Sequence, residues 1–213
     1  QMMNVVDDVL VIEEKGIYSV EKFLIARRLM YWQVYQHKTV LSAEMTLVKI
    51  LERAKWLYNN DQTNIDSNSR LENLIFKDIE HFGKNDLALF CDLDDSDVVT
   101  SIKNWRNHAD PILSLLCNTL MSRKLFKLRL QTEPITKEEI EEKRAALEKK
   151  LSISTEEASY LVFTGEAENS LYDPNNERIN MLFKDGTVKD ISQVDSPLIH
   201  QTLSRPIKKF YIC

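Results

Sequence analysis

The sequence predicts an α+β chain whose first part is mostly helical and is followed by a ferredoxin-like α/β sandwich. Three observations carry that reading. Only four glycines and five prolines occur in 213 residues, against averages of about 7% and 5%, which favours long helices with few tight turns. Up to Met121 the apolar residues recur mainly at helical spacing. From Phe126 onward the order becomes strand, helix, strand, hairpin, helix, strand. The change of pattern divides the chain into residues 1–123, helical, and 124–213, the α+β sandwich.

In order, Val5-Val6 and Val9 to Glu13 read as a hairpin around Asp7-Asp8. Ser19 to His37 reads as one helix, with Ser19 as N-cap and Glu21 at the positive end of the dipole. Val20, Phe23, Leu24, Met30, Tyr31 and Val34 form its expected buried face. A second helix follows, apolar at Leu41, Met45, Leu47, Val48, Ile50, Leu51, Ala54 and Leu57, and is expected to pack against the first. Asn59 to Ser69 is polar enough to be a loop. Ser69 then caps a helix from Arg70 to His81, Gly83 ends it, and Asn85 or Asp86 opens a segment through Cys91. Asp92 to Asp97 is acidic but lacks the glycine and terminal glutamate of a calcium loop. It reads instead as a helix start, capped by Asp95 or Ser96, with Val98, Val99, Ile102 and Trp105 as the buried stripe. Asp110 before Pro111 caps the next helix, through Met121.

In the second part, Phe126, Leu128 and Leu130 alternate with Lys127, Arg129 and Gln131, as in a half-buried strand. Thr136 to Glu139 is a capping box that opens a charged helix to about Leu151, with Ile140, Ala145, Leu147 and Leu151 toward a sheet. Ser159 to Thr164 reads as a strand. Arg178 to Phe183 and Thr187 to Ile191 flank the turn Asp185-Gly186. Ser192 to Leu203 suggests a helix, and Ile207 to Ile212 a last strand, whose Phe210-Tyr211-Ile212 is an apolar edge unless covered. That edge motivates an assembly or regulatory role for the second part.

A net charge of −5 and a pI near 5.5 supply no electrostatic reason to expect nucleic acid or an anionic membrane as the main partner. No apolar run approaches the roughly 20 residues that span a bilayer. Cys91, Cys117 and Cys213 are odd in number and lack paired spacing, which suits reduced thiols in a cytoplasm.

The candidate functional surface is the polar face of the Ser19 to His37 helix, with Arg27, Arg28, Tyr35, Gln36 and His37. On an α-helix Arg27 and Tyr35 lie roughly 12 Å apart along the axis, on roughly the same side. A guanidinium suits phosphate oxygens, and a tyrosine beside an amide suits a sugar or base. The competing reading is an ordinary amphipathic helix with solvated or carboxylate-paired arginines and a packed Tyr35.

Arg27 followed by Tyr35-Gln36-His37-Lys38 closely resembles the segment after the last metal-ligand aspartate in HD-domain deoxynucleoside triphosphate triphosphohydrolases, including bacterial members and the vertebrate SAM/HD enzyme. Asn4 to Glu13 is similar to the hairpin before that helix, and Thr39 to Trp56 to the helix after it. Asp97 to Asp110 and Arg123-Lys124-Leu125-Phe126-Lys127 resemble later segments of the same group. The resemblance implies that Arg27 contacts substrate phosphates and that Tyr35 and Gln36 line the sugar and base pocket. Lys38 resembles a lysine that contacts an activating nucleotide, with a solvated lysine at a helix C-terminus as its alternative. His37 receives no role.

The chain departs from the family at the metal. HD enzymes use a histidine, a His-Asp pair and a later aspartate around a divalent ion that activates water. His37, His81, His108 and His200 are followed by lysine, phenylalanine, alanine and glutamine. The expectation is therefore the C-terminal portion of a longer metal-dependent hydrolase, inactive alone and binding no metal itself. It would contribute to a deoxynucleotide site and form a homo-oligomer, with no membrane or nucleic-acid partner. Alternatives are an HD hydrolase of another phosphoester, or a non-catalytic nucleotide-binding or oligomerisation module.

Overall fold

A computed structural model describes residues 2–60, 65, 71, 74, 76, 82–169, 172, 178–194 and 207–213. Strands β1 (Met3–Val6) and β2 (Val9–Glu13) form the expected antiparallel hairpin, with Val6 opposite Val9. Asp7 and Asp8 both have positive φ, 50° and 59°, as a two-residue type I′ turn requires. A 3-10 turn at Glu14–Gly16 leads into α1 (Ile17–Met30), which runs into a π-helical turn at Tyr31–Tyr35. Then follow α2 (Lys38–Asn59), α3 (Lys84–Cys91), α4 (Asp95–Trp105) and α5 (Pro111–Met121). The later elements are β3 (Arg129–Gln131), α6 (Lys137–Leu151), α7 (Thr155–Leu161), β4 (Thr164–Asn169), β5 (Asn180–Leu182), β6 (Val188–Asp190) and β7 (Ile207–Ile212). The α+β class and the helical first part are as read from sequence.

The strands are shared out differently from a ferredoxin-like sheet. One sheet has the order β1-β2-β5-β6, with β2 and β5 parallel and the other pairs antiparallel. The other has the order β3-β7-β4. In it β7 is central, so Phe210-Tyr211-Ile212 is not the edge that the sequence suggested. Ser159 to Thr164 is likewise not a strand. Ser154 and Glu157 form a reciprocal capping box that starts α7, and the chain turns extended only after Leu161. That local start signal outweighs the β-favouring run that follows it.

Two compact units are present. The first comprises Gln1–His37, Gln131–Pro134 and Glu166–Phe210, and the second Lys38–Leu130, Ile135–Gly165 and Tyr211–Cys213. This division does not coincide with a single cut near residue 123. In the first unit Val20, Leu24, Met181, Ile191 and Val194 are buried together, with Ile12 and Ile17 against them. Ile17 anchors the start of α1, so Gly16 is the N-cap and Ser19 lies within the helix rather than capping it. The expected apolar face also splits: Val20 and Leu24 are buried, whereas Phe23, Met30 and Val34 are exposed.

In the second unit the core gathers Ile50, Ala54 and Leu57 of α2, Ile102 and Trp105 of α4, and Ile112, Leu113 and Leu116 of α5. Asp110 caps α5 as expected, accepting from the Leu113 amide at 2.7 Å. Asp94, one residue before the expected caps, opens α4 by accepting from Ser96 and Asp97 amides. Thr136 caps α6, accepting from the Glu139 amide. Gly83 is the N-cap of α3, where the Asp86 carboxylate accepts from its amide at 2.7 Å. Most of the expected helix Arg70 to His81, of the Asn59 to Ser69 loop and of the Ser192 to Leu203 helix lies outside the described residues. At the near end of the last, Ile191–Gln193 is a 3-10 turn.

Candidate functional site

In the first unit, the end of α1 and the π turn build a concave surface of about 400 Å³, lined by Phe23, Ala26, Arg27, Met30, Tyr31 and Tyr35. That volume lies at the low end of the range for small-ligand clefts. The π turn shapes it. The Gln36 amide donates to Tyr31 O at 2.7 Å, a five-residue step. An uninterrupted α-helix would set Tyr35 roughly 80° around the axis from Arg27, and the extra residue of a π turn rotates it back by up to about 100°. Arg27, Tyr31 and Tyr35 consequently form one ladder.

The Arg27 guanidinium carbon lies 5.7 Å from the centroid of the Tyr31 ring. The Tyr31 and Tyr35 rings follow at 5.0 Å between centroids, tilted by 44°. Among the described residues no carboxylate pairs with Arg27. Its N–H donors therefore face solvent at the mouth of an otherwise apolar concavity, an arrangement suited to an anion attached to a flat or apolar group.

Arg27 and Tyr35 thus come together as the sequence suggested, but Gln36 does not line this surface. Its Nε2 donates to the Glu168 carbonyl at 2.9 Å, and its Oε1 is buried with no partner among the described residues. Lys38, exposed, opens α2 in the second unit, so it stands at a helix N-terminus and not at the C-terminus expected. His37 is exposed and its amide donates to Val34 O. Sequence reasoning placed Tyr31 in the buried face; the i, i+4, i+8 series Arg27, Tyr31, Tyr35 was the available signal for its place in the site.

The second unit holds a different cluster. Arg53 donates to both carboxylate oxygens of Asp110, at 3.2 and 2.6 Å, and lies 3.7 Å from Glu157. Its guanidinium sits between Trp56 and Tyr160, at 4.4 and 5.1 Å from their ring centroids. Burial alone would raise the Asp110 carboxyl, but the bonds from Arg53 and the Leu113 amide outweigh it and hold the group below the usual carboxylate range. With Arg53 and Asp110 buried and paired, this cluster ties α2, α5 and α7 together.

Among the described residues no group of three or more histidines, cysteines, aspartates and glutamates is placed to hold a metal ion. The described side chains thus do not assemble the histidine and aspartate set that HD chemistry uses around its divalent ion. Among those residues no helix is long and apolar enough to cross a membrane.

Comparison with known proteins relates the chain to one family model and to solved folds. Residues 1–74 match the family described as HD associated region. The fold matches a crystal structure of a phosphohydrolase from Bacteroides thetaiotaomicron with a TM-score of 0.89 and 41% identity, covering 100% of this chain and 53% of that one. A hypothetical protein from Aquifex aeolicus matches with a TM-score of 0.56 and 25% identity, over 99% of this chain and 45% of that one. An uncharacterised Bacillus subtilis protein, YwfO, is 30% identical over 206 residues, which is 91% of this chain and 44% of the relative. The chain thus spans about half the length of these relatives.

Proposed function

We propose that this chain, which carries an HD associated region and shares its fold with a phosphohydrolase, supplies phosphate- and nucleoside-binding surface to an HD-type phosphohydrolase acting on deoxynucleoside triphosphates. The observation that carries the reading is Arg27, a guanidinium without a carboxylate partner among the described residues, set beside Tyr31 and Tyr35 in one concavity. Arg27 binds substrate phosphate and Tyr35 packs on the sugar or base. Gln36, held by Glu168, fixes the end of the π turn and offers its buried Oε1 to a donor. Lys38 serves a regulatory nucleotide.

The water-activating metal and its ligands lie outside this chain, so the chain alone is inactive and the products, deoxynucleoside and triphosphate, form only in the assembled cytoplasmic enzyme. An assembly role has its own support. The first unit exposes large apolar side chains at Val5, Leu10, Tyr18, Phe23 and Val34 among others, which a neighbouring domain or subunit would remove from water. Homo-oligomerisation accords with that surface.

The test is a product screen with the intact phosphohydrolase polypeptide containing this chain, supplied with a divalent metal. Release of inorganic triphosphate from deoxynucleotides supports the reading. Release only of orthophosphate, or turnover only of other phosphoesters, selects the alternative of an HD hydrolase with a different substrate.

A further inference from the structure

Tyr31 lines the concavity between the two residues assigned to ligand. Tyr31 sits between Arg27 and Tyr35 in the ladder, half-buried, with its ring 5.7 Å from the guanidinium carbon and 5.0 Å from the next ring. Arg27 itself is exposed and lies in the last turn of α1. A long side chain there would ordinarily sample many rotamers, and each anion it captured would have to freeze them.

We propose that Tyr31 is a positioning residue, which holds the Arg27 guanidinium by its ring face so that the N–H donors are presented to phosphate before ligand arrives. This rests on the assignment of Arg27 to phosphate. Three features support it. The separation is within the roughly 6 Å at which a cation is attracted by an aromatic face. No carboxylate among the described residues competes for the guanidinium. The π turn begins at Tyr31 and brings Tyr35 beside its ring, so the ring is steadied from its other neighbour in the ladder. A ring-face contact leaves the in-plane N–H groups unspent, whereas a carboxylate partner would consume them.

The expected effect is on affinity for the anion. Cation–π contacts at exposed sites are weak and grow when shielded, so loss of the ring should weaken phosphate binding by about three- to tenfold. The experiment is calorimetric titration of this chain with inorganic tripolyphosphate, for the parent and for Arg27→Ala, Tyr31→Leu, Tyr31→Phe and the Arg27→Ala/Tyr31→Leu pair. Circular dichroism melts accompany each variant to show that it is folded. Expected are a large loss for Arg27→Ala, an about three- to tenfold loss for Tyr31→Leu, affinity restored by Tyr31→Phe, and no further loss when Tyr31→Leu is added to Arg27→Ala.

Tyr31→Phe binding as poorly as Tyr31→Leu would overturn the proposal, because the hydroxyl and not the ring face would then be the active part. So would a Tyr31→Leu loss that persists undiminished without Arg27. If Arg27→Ala weakens binding and Tyr31→Leu does not, positioning fails while the phosphate assignment stands. If Arg27→Ala binds as the parent does, or the parent does not bind, the phosphate assignment itself fails and the positioning role falls with it.

Discussion

Arg53 and Asp110 are joined by two hydrogen bonds, at 3.2 and 2.6 Å, while the same Asp110 carboxylate accepts from the Leu113 amide at 2.7 Å. One buried side chain is therefore both the ion-pair partner of α2 and the N-cap of α5. Removing it strands a buried guanidinium and uncaps a helix together. Asp110→Ala should lower the unfolding free energy by about 3–5 kcal/mol, measured by urea denaturation. Arg53→Met combined with Asp110→Asn should lose less, since no buried charge is left unmatched and asparagine still caps.

The same pair sets an acid limit. Asp110 has its carboxyl depressed in the folded state, so its contribution is fully present above the unfolded value and is lost as pH falls through the lower folded value. Stability should therefore decline as pH drops below about 4. In the Arg53→Met/Asp110→Asn variant that part of the decline should vanish, which denaturation midpoints between pH 2 and 6 will show.

Tyr172 donates to the Asp190 carboxylate at 2.5 Å and accepts from the Ile179 amide at 2.9 Å. Burial, then the bond to Asp190, pushes its phenol up to about 12. It stays protonated and donating throughout the neutral range. Tyr172→Phe deprives both partners and should cost about 1–3 kcal/mol, with faster hydrogen exchange at the Ile179 amide. Unchanged exchange there would remove the clamp from the account.

The thiols should separate cleanly. Cys91 is exposed, whereas Cys117 is fully buried and burial pushes its thiol up to about 12. Titration with a chromogenic disulfide at pH 8 should label Cys91 fast, and Cys117 only on unfolding. Rapid labelling of Cys117 in the native state would contradict the packing around α5.

What was legible in the sequence was local. Asp110-Pro111 announced α5 because cap and first-turn proline act through their own backbone, and Asp185-Gly186 announced the β5–β6 hairpin because Gly186 takes φ 84°. The sheets were not legible, since Val11 pairs with Asn180 through contacts that no short window contains. Thus β7, apolar and apparently an edge, proved central. At the candidate site, Arg27 and Tyr35 were singled out by the resemblance, and the structure sets both on one concavity. The π turn that aligns them was not legible, because hydrophobic periodicity assumes an unbroken α-helix, and that periodicity set Tyr31 in a buried face; Gln36 was directed to the pocket by the resemblance, whereas its side chain bonds the Glu168 carbonyl.

The central claim is that Arg27 binds substrate phosphate. The direct measurement is kcat/KM for release of triphosphate from a deoxynucleoside triphosphate by the full-length protein, with arginine or alanine at position 27. A charge-assisted bond contributes about 1.5–3 kcal/mol, so Arg27→Ala should lower kcat/KM by about tenfold to a hundredfold or more, with the fold unchanged by circular dichroism. Equal kcat/KM for the two proteins would contradict the account.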